Sequence, residues 1–301
     1  VADGKVTMAT TFVLDTTAPQ LTAVDTGVPG NAYSEGVYYQ GDFDMNFTLS
    51  DANLDNCQDG PAGKAVLAVT KDGEPTTEGF TDSRAGDTVM VHVNGVDGTA
   101  KAVYGFTLTV EDKAGNLLVT AKDNAYSNDA EDSQNYTTVD KNGVATVKNR
   151  IMDNISPVVT ISWTKLDATH FYKENDKNAA ATAYYNRDIE ATFAFEDAGS
   201  LDENLIQYSR TKEGVAKAYT AFGAGKGANN TAPSSTLIID KDDGDGLYTY
   251  TVYGTDKAGN ALQVVENDYY NEGEAYVPEE TFGTKDAAYR TAPKARDTVA
   301  P

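Results

Sequence analysis

The segment from Tyr248 to Asn260 constrains the fold most strongly, because a slightly changed copy of it runs from Tyr104 to Asn116. In both copies larger side chains alternate with Thr, and in a β-strand this alternation places the larger groups on one face and the hydroxyls on the other. Each strand leads into the sequence Asp-Lys-Ala-Gly-Asn. There the Asp can hydrogen-bond to the backbone of a turn, and the Gly can adopt the positive φ that closes it. The sequence therefore predicts two copies of one β module.

A second repeated pattern marks the borders of the modules. It consists of Asp, two variable residues, a small residue and Pro, and it begins at Asp15, Asp153 and Asp297. A chain of 301 residues with this repeat is predicted to hold two domains, each long enough to bury a core of its own. The borders predict the last strand of a preceding module followed by two full modules, in residues 1–15, 16–153 and 154–301.

Alternating apolar residues predict the inward face of one strand in each module. The two sets occupy corresponding positions: Phe43, Met45, Phe47 and Leu49 in the first module, and Ile189, Ala191, Phe193 and Phe195 in the second. Short strands separated by turn residues, without helical crossovers, predict antiparallel sheets packed as a sandwich. The predicted fold class is all-β.

Three segments carry a resemblance to a known family. Phe47–Asp55, Tyr104–Asn116 and Leu14–Pro19 resemble bacterial immunoglobulin-like repeats from large cell-surface proteins and adhesins. The resemblance covers both modules and the N-terminal segment. It implies tandem immunoglobulin-like antiparallel β-sandwiches, an extracellular location at the cell surface or in a secreted protein, and further modules of the same polypeptide as neighbours.

Calcium is the cofactor that the repeated Asp and Asn residues suggest, because calcium takes six to eight oxygen ligands from carboxylates, amides and carbonyls. Some of the surface repeats that the chain resembles hold calcium at their junctions. The candidate ligands are Asp15, Asp153, Asn154, Asp112, Asn116, Asp256, Asn260 and Asp297, with Asp51 or Asp197 contributing from nearby loops. The simpler interpretation, in which each Asp bonds its own turn, is preferred, since these spacings lack the fixed positions of a dedicated calcium loop.

The segment Asp240–Gly246 looks like an acidic calcium loop but does not fit one. Lys241 stands where the first ligand of a loop ending at Gly246 belongs, and Val252 stands at the twelfth position in place of Glu. A glycine-containing hairpin turn before Tyr248 is the expectation here.

Composition excludes several partners and sites. The net charge of −22 makes nucleic acid and an anionic membrane surface unfavourable partners. No apolar run reaches the length of a transmembrane helix, so the segment is predicted not to insert into a membrane. The single Cys57 excludes an intrachain disulfide framework and a multi-cysteine metal site.

Catalysis has little support in the sequence. His92 and His170 are the only histidines, and neither has a recognisable Ser, Cys or paired-His context. We therefore predict that the segment is not an enzyme.

Binding of a host glycan or protein ligand stays open. Adjacent tyrosines lie on opposite faces of a strand, so one ring of each pair could face solvent and stack on a sugar. The pairs are Tyr38-Tyr39, Tyr184-Tyr185 and Tyr269-Tyr270. Packing of the inward tyrosines and of Trp163 in the core is the preferred interpretation. The modules diverge most in residues 74–100 and 215–243, where partner-specific surfaces can form, although drift of loops is the simpler explanation.

Residues 1–14 raise the question of self-association. They are apolar enough to need a partner strand, and Pro293 interrupts the last segment of the second module. A strand donated from another copy would join subunits head to tail into a fibre; excision from a longer tandem array is preferred. Lys–Asn isopeptide cross-links, known among Gram-positive surface domains, also stay open, because no Lys, Asn and acidic trio can be identified from the sequence.

The sequence thus predicts a non-catalytic, extracellular structural or adhesive segment that serves as a stalk or spacer in a bacterial surface protein. Three alternatives remain: modules that bind a glycan or protein ligand, accessory domains of a secreted carbohydrate-active enzyme, and the subunit of a strand-exchanged fibre.

Overall fold

The structure of the chain is a computed structural model. It describes residues 14–25, 30–33, 36–51, 64–94, 101–120, 137–163, 171–173, 182–197, 200–223, 234–267 and 275–299. The described residues form two compact units, one mostly from residues up to Ile151 and one mostly from Met152 onward. The domain bounds 1–15, 16–153 and 154–301 stay predictions, and the strand expected within residues 1–14 falls outside the described residues except for Leu14.

The first unit contains twelve strands among its described residues. In chain order they are β1 (Gln20–Asp25), β2 (Asn31–Tyr33), β3 (Gly36–Tyr39), β4 (Phe43–Ser50), β5 (Lys64–Lys71), β6 (Glu74–Thr76), β7 (Phe80–Ala85), β8 (Thr88–Val93), β9 (Lys101–Glu111), β10 (Val119–Thr120), β11 (Thr137–Val139) and β12 (Val144–Asp153). They form two sheets with the orders β10-β1-β4-β8-β7 and β2-β3-β12-β9-β5-β6, and β11 pairs with β12. The β1–β4, β4–β8 and β5–β9 pairs are antiparallel, whereas β1–β10 is parallel.

The second unit repeats this plan with thirteen strands among its described residues. They are β13 (Val158–Trp163), β14 (Phe171–Lys173), β15 (Ala183–Tyr185), β16 (Ile189–Glu196), β17 (Ile206–Lys212), β18 (Val215–Ala216), β19 (Thr220–Ala221), β20 (Ser234–Ile239), β21 (Gly246–Gly254), β22 (Gln263–Asn267), β23 (Ala275–Tyr276), β24 (Tyr289–Arg290) and β25 (Lys294–Arg296). A short 3-10 helix spans Lys285–Ala287. Among the described residues, no helix has the length and apolar character needed to cross a membrane.

The sheets of the second unit have the orders β20-β16-β13-β22-β23 and β14-β15-β25-β21-β17-β18, with β19 paired to β17 and β24 to β21. Most pairs are antiparallel, and β13–β22 and β15–β25 are parallel. The predicted class is confirmed, since each unit is an all-β, immunoglobulin-like sandwich whose strands pair mainly antiparallel.

The cores lie between the two sheets of each unit, as the alternation predicted. The inward residues of β4 and β16 are at most 3% exposed. In the first unit the ring of Phe43 on one sheet meets that of Tyr104 on the other, with centroids 6.0 Å apart. In the second unit Trp163 on β13 and Tyr250 on β21 also meet between the two sheets, with ring centroids 5.9 Å apart. The predicted core position of Trp163 is therefore confirmed.

The tyrosine pairs divide between confirmation and correction. Tyr184 is exposed and Tyr185 buried, as alternation predicted. Tyr38 and Tyr39 are both buried, so the expectation that one ring of this pair faces solvent was wrong. Tyr269-Tyr270 lies outside the described residues.

Two further expectations are corrected by the strand pairing. The turn at Asp240 does not close a hairpin, because β20 pairs with β16 whereas β21 pairs with β17 in the other sheet. Pro293 precedes β25 directly, and β25 lies between β15 and β21. Pro293 therefore does not prevent this segment from forming a strand of the sheet, whereas self-association through residues 1–14 stays a prediction.

Candidate functional site

The Asp-Lys-Ala-Gly-Asn turns form as predicted in both units. The Asp112 carboxylate accepts hydrogen bonds from the backbone N–H groups of Ala114 and Asn116, both at 2.8 Å. Asp256 accepts from the N–H groups of Gly259 at 2.7 Å and Asn260 at 2.8 Å. The turn glycines Gly115 and Gly259 have φ of +88° and +97°, values at which any residue with a Cβ is strained. The turn chemistry alone thus fixes where each Asp points.

In the first unit the turn Asp lies beside two further carboxylates. Asp15 precedes β1, Asp51 follows β4 and Asp112 follows β9, so the group forms where strands of both sheets end and the chain enters the module. One carboxylate oxygen from each lies within 4.8 Å of the others. We call this group the first acidic cluster.

The second unit builds the same arrangement from the corresponding positions. Asp153 ends β12, Asp197 follows β16 and Asp256 comes after β21. Their carboxylate oxygens also lie within 4.8 Å of one another. Asp153 and Asp256 are 0% and 1% exposed, so this second acidic cluster holds two carboxylates that are removed from water.

Ser200 lies at the centre of the second acidic cluster and is fully buried. Its hydroxyl oxygen lies 3.0 Å from a carboxylate oxygen of Asp197 and 3.1 Å from one of Asp256, and it forms a shorter contact with Asp153. A hydroxyl carries a single proton, so it can donate to only one of the three carboxylates at a time. The sequence analysis missed this residue, although the one-residue insertion that carries it is visible when Asp197–Asp202 is compared with Asp51–Asp55.

An asparagine secures each cluster through its amide nitrogen. Asn116 donates to Asp112 at 2.7 Å and to the Asp15 carbonyl at 3.3 Å. Asn260 donates to Asp256 at 2.7 Å and to the Asp153 carbonyl at 2.9 Å. Each amide therefore ties the turn Asp to the segment that enters the module. With the nitrogen so placed, both residues act as donors that position the carboxylates.

The pKa values of the two turn carboxylates, Asp112 and Asp256, shift in opposite directions. Burial opposes the charged form of Asp112, but hydrogen bonds from Asn116 and the turn backbone outweigh burial and hold the pKa of Asp112 below its usual value. In the second cluster burial is the larger effect on Asp256. Together with the negative charges of Asp153 and Asp197, it raises the pKa of Asp256 despite the hydrogen bonds from Asn260.

The remaining predicted ligands lie outside both clusters. Asn154 is exposed, and its side-chain oxygen accepts a hydrogen bond from a backbone N–H at 2.7 Å. Asp297 is also exposed, and its carboxylate accepts from the N–H of Val299 at 3.2 Å. Asp297 has the same place in the border pattern as Asp15 and Asp153, so the pattern alone does not create a cluster.

The donor set of each cluster suits a hard divalent cation. Two oxygens bound to one calcium at 2.3–2.6 Å lie at most about 5 Å apart, and the clustered oxygens meet that limit. Three carboxylates offer up to six oxygens when each binds through both, which is the lower end of what calcium takes.

Comparison with known proteins gives only distant structural likenesses. No protein-family model and no curated protein matches the chain. Similar solved structures include an I-band fragment of titin, with a TM-score of 0.34 and 11% identity over 83% of this chain and 67% of that one. A three-Ig structure of titin with an E-to-A change gives 0.32 and 10% over the same shares.

The titin domains z1z2 in complex with telethonin give a TM-score of 0.22 and 11% identity over 85% of this chain and 100% of that one. At such values the likenesses carry no argument about activity, ligands or partners. The immunoglobulin-like fold of both units rests on their own strand order and pairing.

Proposed function

We propose that this chain is a non-catalytic structural and adhesive segment of an extracellular bacterial surface protein, in which calcium binds at the border of each module. One observation carries the proposal: the same three sequence positions bring their carboxylates together in both units. A turn of this type needs one Asp to bond its backbone. Local backbone bonds also hold Asp15, which accepts from the Thr17 N–H at 2.9 Å, and Asp153, which accepts from the Ile155 N–H at 3.0 Å. Such bonds orient each Asp within its own turn, but they do not require the three carboxylates of a unit to converge.

Bringing the three negatively charged carboxylates of a cluster together costs free energy, and a bound cation would offset that cost. The raised pKa of Asp256 reflects that cost, because burial and two neighbouring carboxylates disfavour its charge. A cation bound by all three groups would offset the repulsion and would join the segment entering the module to the ends of strands in both sheets. Fixing these three segments stiffens the border, which suits a stalk that holds a binding region away from a cell.

In this proposal the three Asp side chains of each cluster are the ligands. Asn116 and Asn260 are positioning residues, since their amide nitrogens already hold the carboxylates. The resemblance of the sequence to bacterial surface repeats supports an extracellular location and further modules of the same polypeptide as neighbours.

Calorimetry of the chain in calcium and in chelator tests the proposal. At about 100 times its Kd, a ligand that binds only the folded state adds about 2.7 kcal/mol to the free energy of unfolding, so we expect higher melting temperatures in calcium. Asp51→Asn should reduce this gain for the first unit only, and Asp197→Asn for the second only. Asp297→Asn is the matched control, because it changes the same border pattern outside both clusters.

Small-angle scattering of the same samples measures whether calcium binding changes the extension and flexibility of the chain. We expect the particle to be more extended and less flexible in calcium than in chelator. Identical melting temperatures and identical scattering in both conditions would contradict the proposal, as would an equal loss of the calcium effect in Asp297→Asn.

A further inference from the structure

A mixed polar and apolar pocket lies in the second unit and shares no residue with the acidic clusters. It has a volume of about 250 Å³, and its lining includes Tyr208, Arg210, Lys217, Leu237, Ile238 and Tyr250. The strands β17 and β21 of one sheet and β20 of the other contribute most of these side chains. The volume is below the roughly 300–1,000 Å³ of sites for drug-sized ligands, so it suits a single small ring.

The Tyr250 hydroxyl is the first feature that indicates a ligand site at this pocket. Tyr250 is 1% exposed, and its ring packs against Trp163 and Phe193 in the core. Tyr250 is among the residues that line the pocket. Its hydroxyl is itself buried, lies near the Arg210 guanidinium, and has no partner at hydrogen-bond geometry among the described residues. Burial raises the pKa of Tyr250 to about 12, so the hydroxyl keeps its proton at neutral pH. A buried donor without an acceptor is costly, and an acceptor on a ligand removes that cost.

The first unit shows that the fold does not require these polar groups. The register places Arg210 opposite Tyr250 in the second unit and Val69 opposite Phe106 in the first. Thr76 pairs with Val69, whereas Lys217 donates its backbone N–H to Arg210. The same sandwich therefore forms with Val, Phe and Thr where the second unit has Arg, Tyr and Lys.

The cationic groups of the pocket differ in how firmly they are held. Arg210 is paired with Asp243 through two contacts, one of 2.8 Å, and donates to the Ile238 carbonyl at 3.1 Å. Arg210 therefore forms a fixed wall. The Lys217 side chain is 66% exposed, and its ammonium lies 3.9 Å from an Asp243 oxygen. This loose contact leaves Lys217 able to meet an anion at the mouth of the pocket.

We propose that this pocket binds a single acidic sugar residue, a monosaccharide ring that carries a carboxylate. The ring lies against Tyr208 and Leu237, a sugar oxygen accepts from the Tyr250 hydroxyl, and the carboxylate meets Lys217. Aromatic and aliphatic walls with a few placed polar groups are the usual construction of such sites. The inference is independent of calcium binding at the clusters and stands or falls separately from it.

Titration of the chain of residues 1–301 with glucuronic acid, N-acetylneuraminic acid and glucose tests the inference. We expect at least one acidic sugar to bind with a Kd of about 1 mM or lower, glucose to bind more weakly, and salt to weaken the acidic sugar. Tyr250→Phe removes only the hydroxyl and installs the residue of the first unit. It should weaken binding by about 2- to 10-fold.

Controls separate the pocket from the surface in general. Tyr253→Phe removes a hydroxyl that donates to Gln207, and it should leave the affinity unchanged. Lys217→Thr, at an exposed position, should remove the preference for acidic sugars over glucose, whereas Lys141→Thr in the first unit should not. Because Lys217→Thr does not touch the core, this variant decides the question even if Tyr250→Phe unfolds.

Several outcomes would overturn the inference. These are no binding of either acid at about 10 mM, equal binding of glucose, and unchanged affinity in folded Tyr250→Phe. Tighter binding of acetyl-glutamate amide than of both acidic sugars would assign the pocket to an acidic peptide instead.

Discussion

The side-chain amide of Asn260 donates to the Asp256 carboxylate at 2.7 Å, and the same nitrogen lies 2.9 Å from the Asp153 carbonyl. Asn116 holds Asp112 at 2.7 Å in the first unit. One amide in each unit thus connects the turn after a central strand to the segment that enters the module. The contribution of this amide to the free energy of unfolding should depend on how deeply the amide is buried.

Asn260→Ala should destabilise the second unit by about 1–3 kcal/mol, because it leaves buried acceptors without their donor. Asn116→Ala should cost less, since Asn116 is only half-buried and water can replace its amide. Calorimetry of both variants measures the difference. Asn142→Ala, an exposed turn residue, is the control and should stay within about 0.5 kcal/mol. An Asn260→Ala variant as stable as this control would show that the amide bridge contributes little.

Ser200→Ala should destabilise the chain more in chelator than in calcium. Without a cation, the hydroxyl is the donor that lies within reach of all three carboxylates of the second cluster, so its loss leaves their repulsion less compensated. With calcium bound, the ion takes over that compensation. The measurement is the difference in melting temperature between wild type and variant in each condition. Equal differences in calcium and chelator would argue against a cation at this cluster.

The sequence could predict the parts of this structure that depend on local chemistry. Alternation identified the buried faces of β4 and β16, and the turn rules placed the carboxylates of Asp112 and Asp256. The hairpin expected before Tyr248 was wrong because the strands on either side of the turn, β20 and β21, pair in different sheets. Ser200 reaches its cluster only through tertiary packing, so its role has no local signature.

The pocket likewise could not be predicted from local sequence, because it depends on the pairing of strands. Arg210 and Lys217 lie in or next to the stretch where the modules diverge, and divergence alone does not distinguish a binding surface from loop drift. Only the register between β17 and β21 shows that Arg210 and Tyr250 replace Val69 and Phe106 at matching places.

Asp243 should make the second unit sensitive to acid. Burial opposes its charge, but hydrogen bonds from Arg210 and the Asp240 N–H, with the positive charges of Arg210 and Lys217, hold the pKa of Asp243 below its usual 3.8. A carboxylate whose pKa is lower in the folded state stabilises the fold above pH 3.8, and that stability is lost as the pH falls through the lowered value.

Asp243→Asn should therefore lower the free energy of unfolding at pH 7 by about 1.5–3 kcal/mol and should flatten its fall below pH 4. Urea unfolding at a series of pH values measures both effects. Asp82→Asn, an exposed carboxylate on β7, is the control. A variant with the wild-type acid slope would show that Asp243 does not contribute to it.

Glu266 and Lys294 form a buried pair in the core of the second unit, with nitrogen and oxygen 3.4 Å apart. Trp163 and Tyr289 donate to the Glu266 carboxylate at 2.8 and 2.6 Å, and the ammonium lies 4.5 Å from the Trp163 ring centroid. Burial lowers the pKa of Lys294, and the charge of Glu266 opposes that shift. Each charge therefore depends on the other for its compensation.

Glu266→Gln should cost about 3–5 kcal/mol, because it leaves the Lys294 charge buried without its partner. Lys294→Met should be less costly, since Trp163 and Tyr289 still donate to the carboxylate. The double variant should be more stable than the sum of the single effects predicts, by about 0.5–3 kcal/mol. Denaturant unfolding of the four proteins gives this coupling energy, with Lys285→Met, at an exposed lysine, as the control. Additive effects would mean that the two charges are compensated independently by the aromatic groups around them.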